Sequence, residues 1–346
     1  MILRAVLRAS IIGVAAIAAL VPLPASWVER AYSTSLYPRI QNAVTTQTNA
    51  APVAFLDIAA ALLILYFTWR SIRRVGKVGV LRASLSGLVV LLTWAAFVYL
   101  VFLAMWGLNY RRLPLEAKLD YDKGRVTAPA ARTFAATATG VVNDLYGPAH
   151  ATVADEEALA RGFVLAQRVL GASRTAVPGV PRPSLLGYYF RYAAVDGMTD
   201  PIFLEIILNP DVLPVERPFV LAHEWAHLAG YADESEANFV AWLACSRADA
   251  AARYSGWLAV YQHTLSVIPR RERAALPPLG RGPLEDLRAM SERYQRSSPV
   301  VREAAREVYD GYLRANRVEA GIANYDLVVR LLVGTTFDQT WTPRMR

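Results

Sequence analysis

A chain of 346 residues that is 54% hydrophobic and only 19% charged is neither disordered nor fibrous, and its apolar share exceeds that of an ordinary soluble protein. Its formal net charge of +8 does not point to nucleic acid as a partner, because scattered arginines alternate with acids and no binding motif accompanies them. The single cysteine, Cys245, excludes an intramolecular disulfide, and no CxxC pair offers a structural metal or redox site.

Three long apolar runs precede residue 110: Ala9 to Trp27, Pro52 to Trp69 and Ala83 to Leu108. Each is close to the ~20 residues with which a helix crosses a hydrocarbon core. The first follows Arg4 and Arg8 and ends in Pro22-Leu23-Pro24-Ala25-Ser26, which is also the form of a signal peptide; it is read as an anchor. Arg70, Arg73, Arg74, Lys77 and Arg82 separate the second and third runs with no acid among them, whereas the loop from Arg30 to Ala51 holds few charges. The positive-inside rule puts the basic loop in the cytoplasm and, by alternation, everything after Leu108 outside. The expectation is a multi-pass protein of the cell membrane. An anchor over residues 1–109 meets the lipid bilayer, and a domain over residues 110–346 faces away from the cytoplasm. Asp57, within the second run, is expected near its outer end where water is close.

From Tyr110 the composition is that of a soluble domain, punctuated by prolines around 178–183, 210–218 and 277–283. Ala128 to Leu170 has helical spacing, and Ile202 to Leu208, bounded by Asp200-Pro201 and Asn209-Pro210, reads as a strand. Helices are then expected at about Val215–Ala229, Glu234–Cys245, Ala250–Ser266, Leu284–Tyr294, Val300–Asn316 and Gly321–Leu332. The fold class is mainly α with a small β-sheet, preceded by transmembrane helices.

The chemistry concentrates in His223-Glu224-Trp225-Ala226-His227, the HExxH pattern. On a helix, histidines at i and i+4 are offset by about 40° and one turn of rise, so both imidazoles reach one ion. Glu224 sits about 100° from His223, able to face a water on that ion without ligating it. Phe219, Val220, Leu221, Ala222, Trp225, Ala226, Leu228 and Ala229 make the helix apolar nearly all round, as in a buried helix. Ionisable groups on such a helix are costly unless paired or holding a metal, here Zn2+.

A catalytic zinc takes a third protein ligand, and Asp233, Glu234 and Glu236 compete for the role. Asp233-Glu234-Ser235-Glu236 fits the N-cap and N3 positions of a capping box, which occupies Asp233 and Glu236 and leaves Glu234 as the favoured ligand. Asn238, one turn along from Glu234, is placed to hydrogen-bond the ligand carboxylate or a metal-bound histidine.

The block His223 to His227, Gly230, and Glu234-Ser235-Glu236-Ala237-Asn238-Phe239 resembles the paired helices of zincin-type peptidases whose second motif reads ExxxD or ExEAN. The layout as a whole resembles an uncharacterised bacterial family, the domain of unknown function 3810. The resemblance runs through Trp106-Gly107-Leu108-Asn109-Tyr110-Arg111-Arg112, the histidine block, and the tail from Tyr312-Leu313-Arg314-Ala315-Asn316 to Tyr325. It implies a zincin-like α+β metallopeptidase domain in which Glu234, the first acid of the second motif, is the zinc ligand. Asn238 departs from the aspartate of ExxxD, so a charged partner is lost.

The mechanism so expected has zinc on His223, His227 and Glu234, with Glu224 as proton carrier in peptide-bond hydrolysis. A peptide or protein substrate could add as a strand to the edge of Ile202–Leu208. Tyr254 and Tyr325 are the favoured oxyanion partners. The competing expectation is a non-catalytic zincin-like sensor or binding protein at the cell envelope; an intact Glu224 favours the enzyme.

Overall fold

Proline and hydropathy set the first elements. The computed structural model describes residues 2–78, 80–318 and 327–346, and among these helices dominate, with one two-stranded sheet. Helix α1 (Ile2–Leu20) begins and ends earlier than the first apolar run, because Pro22 and Pro24 cannot continue it. A short turn then leads into a π-helical stretch over Val28–Leu36 and α2 (Tyr37–Asn49), where the sequence suggested a loop. Helices α3 (Phe55–Val78) and α4 (Val80–Met105) follow. Ile2–Leu20, Phe55–Lys77 and Ser86–Met105 are each long and apolar enough to cross a membrane, and side chains such as Leu62, Ile64, Leu88 and Leu91 face outward.

The polar segment between the first two spans is buried along one side. Val28, Tyr32, Tyr37, Gln41, Thr45 and Thr48 recur about once per turn and are all buried. Two of its polar members, Gln41 and Thr45, are paired far along the chain. The Gln41 amide donates to the Val177 carbonyl (2.8 Å) and accepts from the Val177 N–H (2.9 Å), and the Thr45 hydroxyl donates to the Leu204 carbonyl (2.9 Å). Val28, Tyr32 and Tyr37 share one core with Leu221, Trp225 and Trp242. Residues assigned by sequence to the anchor are therefore built into the same core as the region after 110.

Beyond the spans, α5 (Ala128–His150) and α6 (Glu156–Val169) lie where helical spacing placed them. Helix α7 (Leu186–Ala193) and strand β1 (Gly197–Thr199) were not anticipated. Of the strand expected over Ile202–Leu208 only β2 (Ile206–Leu208) is extended. The rest is a turn, because the Asp200 carboxylate accepts the N–H groups of Ile202 (3.1 Å) and Phe203 (2.9 Å) and Leu204 takes a φ of 50°. The two strands are antiparallel, with Gly197 opposite Leu208 and Thr199 opposite Ile206.

Helices α8 (Arg217–Leu228), α9 (Glu234–Cys245), α10 (Ala250–Val267), α11 (Arg281–Gln295), α12 (Pro299–Ala315) and α13 (Val328–Gly334) complete the chain. Of the helix expected over Gly321–Leu332, residues 321–326 lie outside the described ones. Every residue of α9 is buried, which accounts for its apolar composition on all faces; α8 packs beside it.

The end of α8 shows how sequence places the histidines. Gly230, at φ 83°, donates its N–H to the His227 carbonyl (2.9 Å) while Tyr231 donates to the Ala226 carbonyl (3.1 Å). This is a Schellman cap, which needs the left-handed residue that glycine supplies. Three side chains also donate to carbonyls at the terminus: Trp106 Nε1–H donates to His227 (2.8 Å), beside the Gly230 N–H, the Tyr37 hydroxyl to Leu228 (2.8 Å) and the Arg112 guanidinium to Gly230 (2.9 Å).

Removing one of these donors while its carbonyl stays buried should be measurable. Tyr37→Phe is expected to cost about 1–2 kcal/mol, read as a lower unfolding midpoint of the full chain in detergent. A chain that starts at Tyr110 lacks Val28, Tyr32 and Tyr37 and should show no cooperative thermal transition; a transition as sharp as that of the full chain would remove residues 28–49 from the folding unit.

Candidate metal centre

The last two turns of α8 and the first turn of α9 meet because the Schellman cap reverses the chain within the few residues between them. Asp233 begins α9 as its N-cap. Its carboxylate accepts from the N–H of Ser235 (2.9 Å) and of Glu236 (3.2 Å) and from the Ser235 hydroxyl (2.5 Å). With Asp233 so used, Glu234 at the first helical position turns its carboxylate back toward α8.

There the donor atoms converge. His223 Nε2 and His227 Nε2 are 3.0 Å apart, and Glu234 Oε2 lies 3.2 Å from the first and 3.5 Å from the second. Among the described residues His223, His227 and Glu234 are the one group whose ligand atoms could hold a metal ion. Glu234 is 1% exposed, the two histidine side chains 12% and 11%, so the cluster has a narrow opening on the histidine side. His227 Nδ1 lies 2.8 Å from the Tyr231 carbonyl; since a carbonyl only accepts, Nδ1 carries a proton, and Nε2 is the ring atom turned to the cluster.

Electrostatics follow from burial. Burial alone would raise the Glu234 pKa, but the two imidazoles outweigh it and hold the carboxylate well below its ordinary range. Burial disfavours a charged His227, and the Glu234 carboxylate overrides that, lifting it to about 9. Glu224 is raised by burial, with the histidines opposing. Its carboxylate is not among the convergent ligands. Instead the Thr199 hydroxyl lies 2.9 Å from Glu224 Oε2 and 2.8 Å from the Glu224 carbonyl. Gly197 also lies against it, and a Cβ there would stand 2.8 Å from Glu224 Oε1, so a larger residue would have to displace the Glu224 carboxylate.

The other expected residues take different places. Glu236 does not complete a capping box. Its Oε1 accepts from the Leu115 N–H at 2.5 Å, because the buried start of α9 packs against the segment after α4, where that amide needs an acceptor. Burial and the neighbouring Asp233 push its pKa up to about 7. Asn238 is 2% exposed, and its amide nitrogen has no hydrogen bond among the described residues, so the expected bond to a ligand is not made. Tyr254 is committed to another corner of the fold, its hydroxyl donating to Asp286 (2.5 Å) and its ring against Tyr146 and His150. Tyr325 lies outside the described residues.

Sequence reasoning missed two contributors. The Tyr309 hydroxyl, on α12, donates to Glu234 Oε1, and Thr199, on β1, holds Glu224. Neither has a sequence signal: a lone tyrosine on an amphipathic helix and a threonine in a three-residue strand become visible only through contacts distant in the chain.

Neither the curated proteins nor the solved structures contain a match to this chain. The sequence profile of one family, described as a protein of unknown function (DUF3810), covers residues 32–333, a span that begins in the helical segment before α2 and takes in the long apolar helices α3 and α4, the donor cluster and nearly all of α13. The chain belongs to the DUF3810 family.

Proposed function

We propose that the protein is a membrane-anchored zinc metallopeptidase with a zincin-like catalytic domain, acting on peptide bonds outside the cytoplasm. The observation that carries this reading is the convergence of two imidazole nitrogens and one carboxylate oxygen beside a carboxylate that does not ligate. A triangle with edges of 3.0, 3.2 and 3.5 Å has a point about 1.9 Å from each corner, against zinc bonds of about 2.0–2.2 Å to nitrogen and oxygen. The donor set therefore fits zinc, with three protein ligands as in catalytic sites.

Zinc held by His223, His227 and Glu234 would supply a Lewis acid that polarises a carbonyl and acidifies water. Glu224, held by Thr199 and desolvated, has the raised proton affinity of a group that takes a proton from water and returns it to a leaving amine. The Tyr231 carbonyl fixes the His227 tautomer and the Tyr309 hydroxyl fixes Glu234.

Beside them β1 offers a place for an extended substrate. Asp196 accepts from Asn209 (2.9 Å) and Asp200 donates to Glu205 (2.9 Å). By antiparallel alternation the main-chain groups of Gly197 and Thr199 therefore point to the outer edge, away from β2 and next to Glu224. A peptide added there would bring its own backbone alongside the catalytic carboxylate.

The full chain purified in detergent should carry about one equivalent of zinc, and His223→Ala or His227→Ala should remove it. Glu224→Gln should keep the metal and abolish cleavage of a peptide library read by mass spectrometry. Unchanged zinc in both histidine variants would sink the metal assignment, and cleavage by Glu224→Gln would sink the role of that residue.

The acids separate in the same assay. Glu234→Gln should weaken zinc binding by roughly 10-fold or more. Asp233→Ala should cost about 1 kcal/mol of stability through the lost cap while zinc stays bound. Metal loss on Asp233→Ala at unchanged stability would reverse the two roles.

Orientation rests on the basic stretch from Arg70 to Arg82 between the second and third spans. A reporter active only outside the cytoplasm should work when fused after Arg346; activity from a cytoplasmic reporter alone would invert the topology.

A further inference from the structure

Helix α7 buries one face and leaves another bare. Phe190 and Ala193 are buried, and Leu186 packs with them against Ala54, Leu56 and Ile207. On the other face Leu185, Tyr188, Tyr189 and Tyr192 are 73%, 65%, 44% and 59% exposed. Their spacing, i, i+3, i+4 and i+7, puts them on a single stripe. Four large apolar or aromatic side chains aligned on so short a helix form a contiguous patch of the kind that marks an interaction surface.

Where the stripe lies says what covers it. The carboxylate of Asp57, in the first turn of α3, accepts from the Ser184 hydroxyl (2.7 Å) and from the Leu185 N–H (2.9 Å). The N-terminus of α7 is thereby fastened beside the first turn of a helix whose following residues, Ile58, Leu62, Ile64 and Leu65, are exposed and apolar. Ala54 and Leu56, at that same end, pack in the cluster under α7. Glu205 ties the two more firmly, accepting from the Phe55 (3.0 Å) and Leu56 (2.9 Å) N–H groups just before β2.

We propose that the Leu185–Tyr188–Tyr189–Tyr192 face of α7 lies in the headgroup layer of the bilayer, with phospholipid as its partner. The inference rests on α3 crossing a membrane. Tyrosine is the residue such a layer selects, because its ring is apolar and its hydroxyl stays hydrated at the surface. Arg191, in ion pair with Asp211 (3.1 Å) and 5.8 Å from the Tyr188 ring, stands where a guanidinium can reach lipid phosphate while its stem lies along the aromatic. From α7 the chain runs directly into β1, whose Thr199 holds Glu224, and the Tyr192 carbonyl accepts from Ser298 N–H (2.9 Å) at the start of α12, the helix that carries Tyr309. Both borders of the donor cluster thus hang from a helix lying on the membrane.

The test uses the full chain with Cys245→Ala, reconstituted in phosphatidylcholine nanodiscs and labelled with an environment-sensitive fluorophore at Tyr188→Cys, Tyr192→Cys or, as a lipid reference, Leu62→Cys. A shallow spin-labelled lipid should quench positions 188 and 192 to within about twofold of position 62, and aqueous iodide should quench them weakly. Strong iodide quenching without lipid quenching would overturn the proposal. Shielding from both quenchers would also overturn it, in favour of a second copy or another protein on this face. If position 62 itself escapes the lipid quencher, the failure belongs to the membrane-crossing reading instead.

Discussion

The helix that carries His223 and His227 ends in carbonyl groups that its own cap satisfies only in part, and side chains from distant segments supply the remaining donors. Trp106 follows directly on α4, Arg112 lies a few residues further, and Tyr37 begins α2. Each donates to a carbonyl of the last turn or of the cap. A buried carbonyl without a donor costs about 1–3 kcal/mol, so the position of α8 is fixed against the segments that flank the long apolar helices as well as against its own neighbours. His227 feels this most closely: its carbonyl takes the Trp106 indole, its ring stands edge-on to that indole, and its Nδ1 is held by Tyr231.

Arg112 could not serve there as a lone charge. Its guanidinium is 8% exposed and forms two hydrogen bonds of 3.0 Å with Glu29, itself 9% exposed, while Lys118 also reaches Glu29. Burial pushes the Glu29 pKa up, yet the paired cations hold it below its ordinary value. A buried pair of this kind contributes little net stability against an apolar replacement, but removing one partner is strongly destabilising. Its effect is positional: it locks the segment after α4 to the start of the π-helical stretch, and so keeps the donors in register with the end of α8.

Local rules of sequence read some of this well. The i, i+4 histidines need only a helix, and the Asp233 cap needs only the residues that follow it, so both were legible, as was the placing of Glu234, rather than Asp233 or Glu236, beside the histidines. Glu236 was misread because its partner, the Leu115 amide, is 121 residues away, where a local motif has no view. The stretch around Tyr32 to Thr45 looked like a polar loop since Gln41 and Thr45 declare themselves as core residues only through partners at Val177 and Leu204. The strand was read too long because the turn at Asp200 interrupts an apolar run that composition alone could not divide. Short elements such as α7 and β1 carry too few residues for any periodicity to register.

The bond from Tyr37 to Leu228 joins residues 191 positions apart, with two helices long and apolar enough to cross a membrane between them. During synthesis the stretch from Val28 to Asn49 leaves the ribosome before any of its partners exist. It cannot take up its final packing until the chain through residue 228 is complete. Loop length adds only slowly to the equilibrium cost of such a contact, whereas pairings far apart in the chain slow folding. The histidine-bearing helix therefore reaches its final position late, once segments far apart in the polypeptide meet across the long apolar helices.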